Sequence, residues 1–259
     1  MKTYSFLYIV SLFAGLALML SGSVSTTFAA LDDGLVAHYP FEGSDNTLAD
    51  ASGMGNNGDL GSAQRVDNGR FGKAIRFANN TDKASVPGSE SLTFEGDLTV
   101  AAWIHPEALS TGDTWPEFEN RVIYSNQLNL DVLHAKGRFE IKNPDAWIGT
   151  PAAGGDLAVG AWHHILGTYD ANAQLSSHYV NGELVGTAAP PAIQVAQSTL
   201  HFGHMGIQCM VGSLDDVRLY ERAFSEDDVQ ALFQLDPSVS VSPNGSLVTT
   251  WGNIKANRK

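Results

Sequence analysis

Between residues 35 and 220, apolar and polar positions alternate in short runs rich in Val, Ile, Thr, Phe, Tyr and Trp, with Gly, Asn, Asp or Pro between them. A period of two marks half-buried strands, and many short runs in series predict a sandwich or a barrel. The runs predict strands over 35–41, 73–77, 84–86, 98–105, 122–125, 128–134 and 138–142. Further strands are predicted over 163–169, 175–180, 183–187, 199–202 and 211–220. Asn181-Gly182 lies between two of them and supplies the positive φ values of a two-residue hairpin turn. Asp170 and Asn172 are the turn formers that close the preceding hairpin, so three strands in sequence form a meander.

Helical periodicity is convincing only over 225–233, where Ser225 caps and Glu226, Asp227 and Asp228 occupy the first turn near the positive end of the dipole. Val229, Leu232 and Phe233 give that helix one apolar face. A shift in composition at Asp236-Pro237 ends the domain, leaving 236–259 as a polar tail that reads as a hairpin or a docking segment.

The start of the chain follows a different pattern. Lys2 precedes an apolar run from Phe6 to Leu20, and small residues then lead to Ala29-Ala30. This predicts a secretory signal peptide over 1–29, with a secreted, periplasmic or cell-surface destination. No later segment is long and apolar enough to span a bilayer, so no membrane insertion is expected after cleavage. About 230 residues then remain, room for one large all-β domain. Acidic residues outnumber Lys and Arg by 28 to 15 with no basic cluster, which argues against nucleic acid and anionic membranes as partners. The single cysteine, Cys209, cannot form an internal disulfide; it is a small buried apolar residue or a thiol open to intermolecular pairing.

Several segments recur in a recognisable order. They include Gly34-Leu35-Val36-Ala37-His38-Tyr39-Pro40-Phe41-Glu42, Asp50-Ala51-Ser52-Gly53-Met54-Gly55-Asn56-Asn57-Gly58 and Gly69-Arg70-Phe71-Gly72-Lys73-Ala74-Ile75-Arg76-Phe77. Leu98-Thr99-Val100-Ala101-Ala102-Trp103-Ile104, Trp162-His163-His164-Ile165 and Gly212-Ser213-Leu214-Asp215-Asp216-Val217-Arg218-Leu219-Tyr220 follow. Taken together over 31–235, they resemble the laminin G-like domains of the concanavalin A-like lectin/glucanase superfamily, in the variety common in large exported bacterial proteins. The resemblance implies a two-sheet antiparallel jelly-roll-like sandwich over 30–235 with its first and last strands close together. It also implies a binding duty toward glycans or toward surface or matrix proteins, although fold alone does not settle function.

Many laminin G-like domains hold a structural calcium ion, and Ca2+ takes six to eight oxygens from carboxylates, amides and carbonyls. Glu42, Asp50, Asn56, Asn57 and Asp215 are the candidate ligands. Asp215 reaches the others only if the terminal strands pair as the resemblance implies. The alternative is that Asp50 and Asn57 only make Asx-turns and Asp215 caps a strand end.

His163-His164 cannot chelate one ion, because neighbours on a strand face opposite ways. His201 and His204 have no third ligand at a recognisable spacing, and Trp103 and Trp162 fall in strand patterns assigned to packing. Trp115 and Trp147 sit instead in breaker-rich segments, where an aromatic face can serve a sugar ring or a partner protein, or fold back as a lid. Asp113 and Glu117 flank Trp115, and Asn143 and Asp145 precede Trp147; these four could hydrogen-bond to hydroxyls.

No Glu-x-Asp-x-x-Glu strand of the retaining glycosidase kind is present, and no serine elbow or phosphate-cradling loop. The expectation is therefore a non-catalytic glycan-binding or adhesion domain. The alternatives are a protein-interaction domain using the tail and, behind that, a glycosidase or lyase with an unrecognised carboxylate pair.

Overall fold

In the computed structural model, residues 31–109, 119–151, 155–203 and 210–235 are described. The predicted signal peptide, the tail, Trp115, Asp113, Glu117, His204 and Cys209 lie outside them. All the described residues except Leu31 and Asp32 belong to one compact unit, Asp33–Ser238.

Among the described residues, sixteen strands and the helix that closes the domain follow in chain order. The first six are β1 (Leu35–Tyr39), β2 (Thr47–Leu48), β3 (Gly58–Asp59), β4 (Gln64–Val66), β5 (Ala74–Phe77) and β6 (Lys83–Val86). Next come β7 (Leu98–Ala108), β8 (Glu119–Tyr124), β9 (Leu128–Leu133), β10 (Lys136–Lys142) and β11 (Trp147–Gly149). Last are β12 (His163–Asp170), β13 (Leu175–Val180), β14 (Glu183–Ala188), β15 (Leu200–Gly203), β16 (Val211–Tyr220) and the helix α1 (Glu226–Phe233). The first sheet runs β14-β13-β12-β7-β16-β5-β4, with β1 also on β16; the second runs β11-β10-β9-β8-β15-β6-β3-β2. All strand pairs are antiparallel.

This is the two-sheet sandwich that the alternation predicts. Side chains on the inner faces, among them Tyr39, Ile75, Phe77, Ile104, Leu130, Phe139, Phe202 and Leu214, form one continuous buried core. The terminal strands pair, Leu35 opposite Tyr220 and Tyr39 opposite Val217. β16 bonds β7 along one edge and divides its other edge between β5, up to Leu214, and β1, from Val217 onward. The register breaks at Asp215-Asp216, and Asp216 takes a φ of 44°.

The Asn181-Gly182 turn has φ values of 51° and 81° and joins β13 to β14, whose Val180 and Glu183 pair. Both central residues of such a turn are left-handed, which Asn and Gly tolerate best. The helix begins at the predicted cap: Ser225 accepts from Asp228 N, and the Asp228 side chain reaches back to Ser225 N in a capping box. The apolar stripe of α1 lies on the outward face of the first sheet, where the Phe233 ring stacks on Trp103 with centroids 5.8 Å apart. Trp103 is thus buried, as the sequence predicts, but beneath the helix rather than between the sheets. Trp162, expected to be buried packing, is half-buried beside His105 at 5.3 Å.

At the centre of the sandwich Gly167 faces Phe139 so closely that a Cβ on Gly167 would lie 2.2 Å from the ring. Gly167→Ala forces that ring out of its rotamer well and is expected to destabilise the domain by roughly 1–3 kcal/mol, to be read by urea unfolding.

Candidate functional site

The five expected calcium ligands fall into two groups, one on each side of β1. Along the edge of β1 that faces away from β16, the loop after β2 takes the place of a further strand. Ala51 N donates to His38 O, His38 N donates to Asp50 Oδ1 at 3.0 Å, and Asn56 Nδ2 donates to Val36 O at 2.8 Å. Asp50 Oδ1 also accepts from Ser52 N, and its Oδ2 accepts from Ser52 Oγ at 2.8 Å and Asn56 N at 2.9 Å. Burial would raise the Asp50 carboxyl, but these bonds outweigh it and hold the group below its ordinary value. Asn56 Oδ1 accepts from Ser89 Oγ and Ser91 Oγ, and Asn57 Oδ1 accepts from Asp50 N.

Glu42 and Asp215 lie on the other side, around a cavity of about 830 Å³ whose wall includes His38, Arg70, Phe71, Asp216 and Phe233. Glu42 Oε1 accepts from Lys73 N, Asp215 Oδ2 from Phe71 N, and Asp215 Oδ1 from Asp216 N. Burial pushes the Asp215 carboxyl up to about 7, against the N–H bonds from Phe71 and Asp216 that pull it down. Its neighbour behaves oppositely: burial would raise Asp216, but His38 Nε2 at 2.7 Å and the Arg218 guanidinium at 3.1 Å hold it at about 2.

A calcium cage requires oxygens with free lone pairs converging on one point. Among the described residues no group of three His, Cys, Asp or Glu side chains does so. Asp50, Asn56 and Asn57 spend their side-chain oxygens on N–H and O–H donors, and β1 stands between them and Asp215. The five residues do not fit one ion. They are loop clamps: Asp50 makes the Asx-turn of the alternative reading to Ser52 N, whereas Asn57 accepts from Asp50 N across the loop.

A different constellation lies on the outward face of the second sheet. β9 and β10 bury Leu130, Val132, Phe139 and Ile141 in the core, so Asn129, Asp131, Arg138, Glu140 and Lys142 face away from it. Cross-strand registers place His201, Tyr124, Asn129 and Glu140 side by side in one row. Arg138 grips Asp131 through Nε at 3.0 Å and Nη2 at 2.5 Å, and its Nη2 lies 3.2 Å from Glu140. Asn129 Nδ2 donates to both carboxylates, at 2.7 and 2.8 Å. Asn129 Oδ1 is buried with no hydrogen-bond partner.

The Trp147 expectation changes here. Rather than sitting in a loop, Trp147 opens the edge strand β11 opposite Lys142 and lies 5.6 Å from the Tyr124 ring. Both aromatic residues are half-buried, so part of each is open to solvent. Asn143 Oδ1 accepts from Asp145 N and Ala146 N, and Asn143 N donates to Ala146 O. That buried Asn is spent on building the turn that delivers Trp147, which corrects its reading as a ligand contact. Asp145 is exposed on the same turn.

Asp131 and Glu140 share one amide, so their bonded oxygens lie within about 5.5 Å of each other, comparable to the carboxyl spacing of a retaining glycosidase. Yet the Asp131 side chain is 0% exposed beneath Arg138, out of reach of any substrate. In this geometry the pair holds Arg138 and Asn129 in place. Sequence reasoning missed Tyr124, Asn129, Arg138 and Glu140, although the alternation over 128–142 already places the last three on one face.

A laminin G family model, described as the concanavalin A-like lectin/glucanases superfamily, matches residues 78–230, more than half of the chain. The protein belongs to that superfamily. No curated protein sequence matches it. Among solved structures, the binding domain of Paraclostridial Mosquitocidal Protein 1 is similar at a TM-score of 0.66 and 22% identity, over 78% of this chain and 52% of that one. Domain 4 of AbnA, an extracellular arabinanase from Geobacillus stearothermophilus, was solved in complex with arabinotriose; it is similar at 0.60 and 20% identity, over 77% of this chain and 98% of that one. The ligand-binding domain of botulinum neurotoxin serotype D, in complex with N-acetylneuraminic acid, gives 0.62 and 16% identity over 80% and 52%. The chain thus spans about half of the two toxin domains and nearly all of the arabinanase domain. At these identities the likeness establishes the shared sandwich.

Two expectations follow. Excess EGTA or millimolar Ca2+ should leave the thermal midpoint unchanged, since the acids are satisfied internally; a calcium-dependent rise would show an ion bound. For Asp215, a native value near 7 against 3.8 means the folded state keeps a proton that the unfolded state releases. Its contribution to stability therefore falls as pH rises from about 4 to about 7. Asp215→Asn should gain stability relative to the wild type on going from pH 5 to pH 8, measured by urea unfolding at both.

Proposed function

We propose that this chain is a carbohydrate-binding domain of an exported protein, and that the glycan lies on the outward face of the second sheet. The observation that carries the reading is the Tyr124–Trp147 pair on rigid strands, continuous with the row formed by Asn129, Glu140 and His201. Sugar rings present an apolar C–H face and a rim of hydroxyls. Partly open aromatic faces suit the first, and the ordered Glu140 carboxylate and Arg138 guanidinium suit the second. Arg138 and Glu140 are fixed by their shared bonds to Asp131 and Asn129, so little ordering remains to be done on binding.

The arabinotriose and N-acetylneuraminic acid complexes of the similar domains support a glycan as the ligand class. Export rests on the leader-like pattern of residues 1–29 and on this kinship with domains of toxins and an extracellular enzyme. Among the described residues no helix is long and apolar enough to cross a membrane.

A broad glycan array followed by titration of the best ligand tests the reading. Trp147→Ala should weaken binding by at least about tenfold, a loss above ~1 kcal/mol, while leaving the unfolding midpoint within a few degrees of the wild type. Absence of saturable binding across the array, or full binding by the variant, refutes the proposal.

A further inference from the structure

Five of the chain's 15 Lys and Arg side chains, Lys83, Arg121, Lys136, Arg138 and Lys142, lie on the outward face of the second sheet, although the whole chain carries a formal charge of −13; of these Lys136 is paired with Asp156. Their opposite charges on that face are not distributed evenly. Asp131 is fully buried under Arg138, and Glu140, whose side chain is 12% exposed, is tied to Arg138 and Asn129. Asp59 stands at the far end, beyond Ser85 and His201 in the row.

A cation stands beside each ring of the aromatic pair, and Asp145 is exposed on the turn that leads to Trp147. Lys142 Nζ sits 6.0 Å from the centroid of Trp147, with no carboxylate partner among the described residues. The Arg121 guanidinium lies 4.1 Å from the centroid of Tyr124. His201 adds little positive charge of its own: its burial, then Lys83 and Arg121, push its pKa below the ordinary histidine value. A neutral ring stacked on Trp147 would bury part of the Lys142 ammonium without repaying its lost hydration, whereas a ring bearing a carboxylate would pair with it.

Resting on the glycan reading, we infer that this face selects acidic sugars, with Lys142 as the group that reads the carboxylate. The row from His201 to Glu140 crosses four neighbouring strands, about 14 Å at the ordinary strand spacing. That length suits an extended acidic chain lying across the strands better than a single terminal sugar.

The test uses matched pairs in which only the charge differs: oligogalacturonides against their methyl esters, and sialyllactose against lactose, titrated into the full chain by calorimetry. The acid form of at least one pair should bind roughly tenfold tighter than its neutral partner at about 20 mM salt, and the gap should shrink at about 200 mM. Lys142→Gln should lower the acid-form affinity by roughly fivefold or more without weakening the binding of the neutral partner, so that the gap between the two closes. Equal binding within both pairs, or a preference that survives Lys142→Gln, overturns the inference while the glycan reading stands. Failure of every acidic and neutral glycan to bind removes both. Longer oligogalacturonides binding no tighter than the shortest would overturn the extended-chain part.

Discussion

Because β16 bonds β7 along one edge and shares its other edge between β5 and β1, the interruption at Asp215-Asp216 decides where much of the first sheet lies. A straight β16 would have one neighbour there. The bulge, with Asp216 in the left-handed region, lets the first strand of the domain enter beside the last one. The two aspartates then hold the crossing by different means. Asp216 is gripped by His38 of β1 and Arg218 of β16; the buried Asp215 collects an N–H group from the turn before β5. Removing either would loosen three strands together, not one.

Most of this architecture was legible because the dominant signal, period-two alternation, is local. Every predicted strand has its counterpart, and the hairpin at Asn181-Gly182 and the cap at Ser225 needed only two or three residues each. Strands β2, β3, β4 and β11 were missed for the same reason: two or three residues cannot display a period, and they exist through their pairing partners. The site was less legible. Trp147 was singled out for being aromatic among turn formers, but its role comes from Tyr124, twenty-three positions away and brought near by register. Asn143 resembles a recognition residue by its place near Trp147, yet its oxygen closes the turn, and Trp103 is buried by a helix that follows it by over a hundred residues.

The acidic surplus is likewise divided in the fold. Asp50, Asp216 and Asp228 are fastened to internal donors. Such groups contribute to net charge yet act as local fasteners, and their number says little about cation binding. The outward face of the second sheet carries the reverse feature, Lys142 and Arg121 beside Trp147 and Tyr124 on an otherwise acidic molecule. Long-range repulsion from a chain of this charge would slow any polyanion, so attraction at the face must act at short range and be sensitive to salt.

The pairing of Leu35 with Tyr220 has a mechanical consequence. The chain enters and leaves the sandwich at the same end of an antiparallel pair, so a pull applied at these two points opens β1 from β16 one hydrogen bond after another instead of shearing all of them at once. Under tension the domain would therefore yield from its terminal strands inward. The aromatic row on the opposite sheet would keep its registers until that peeling had passed through the core.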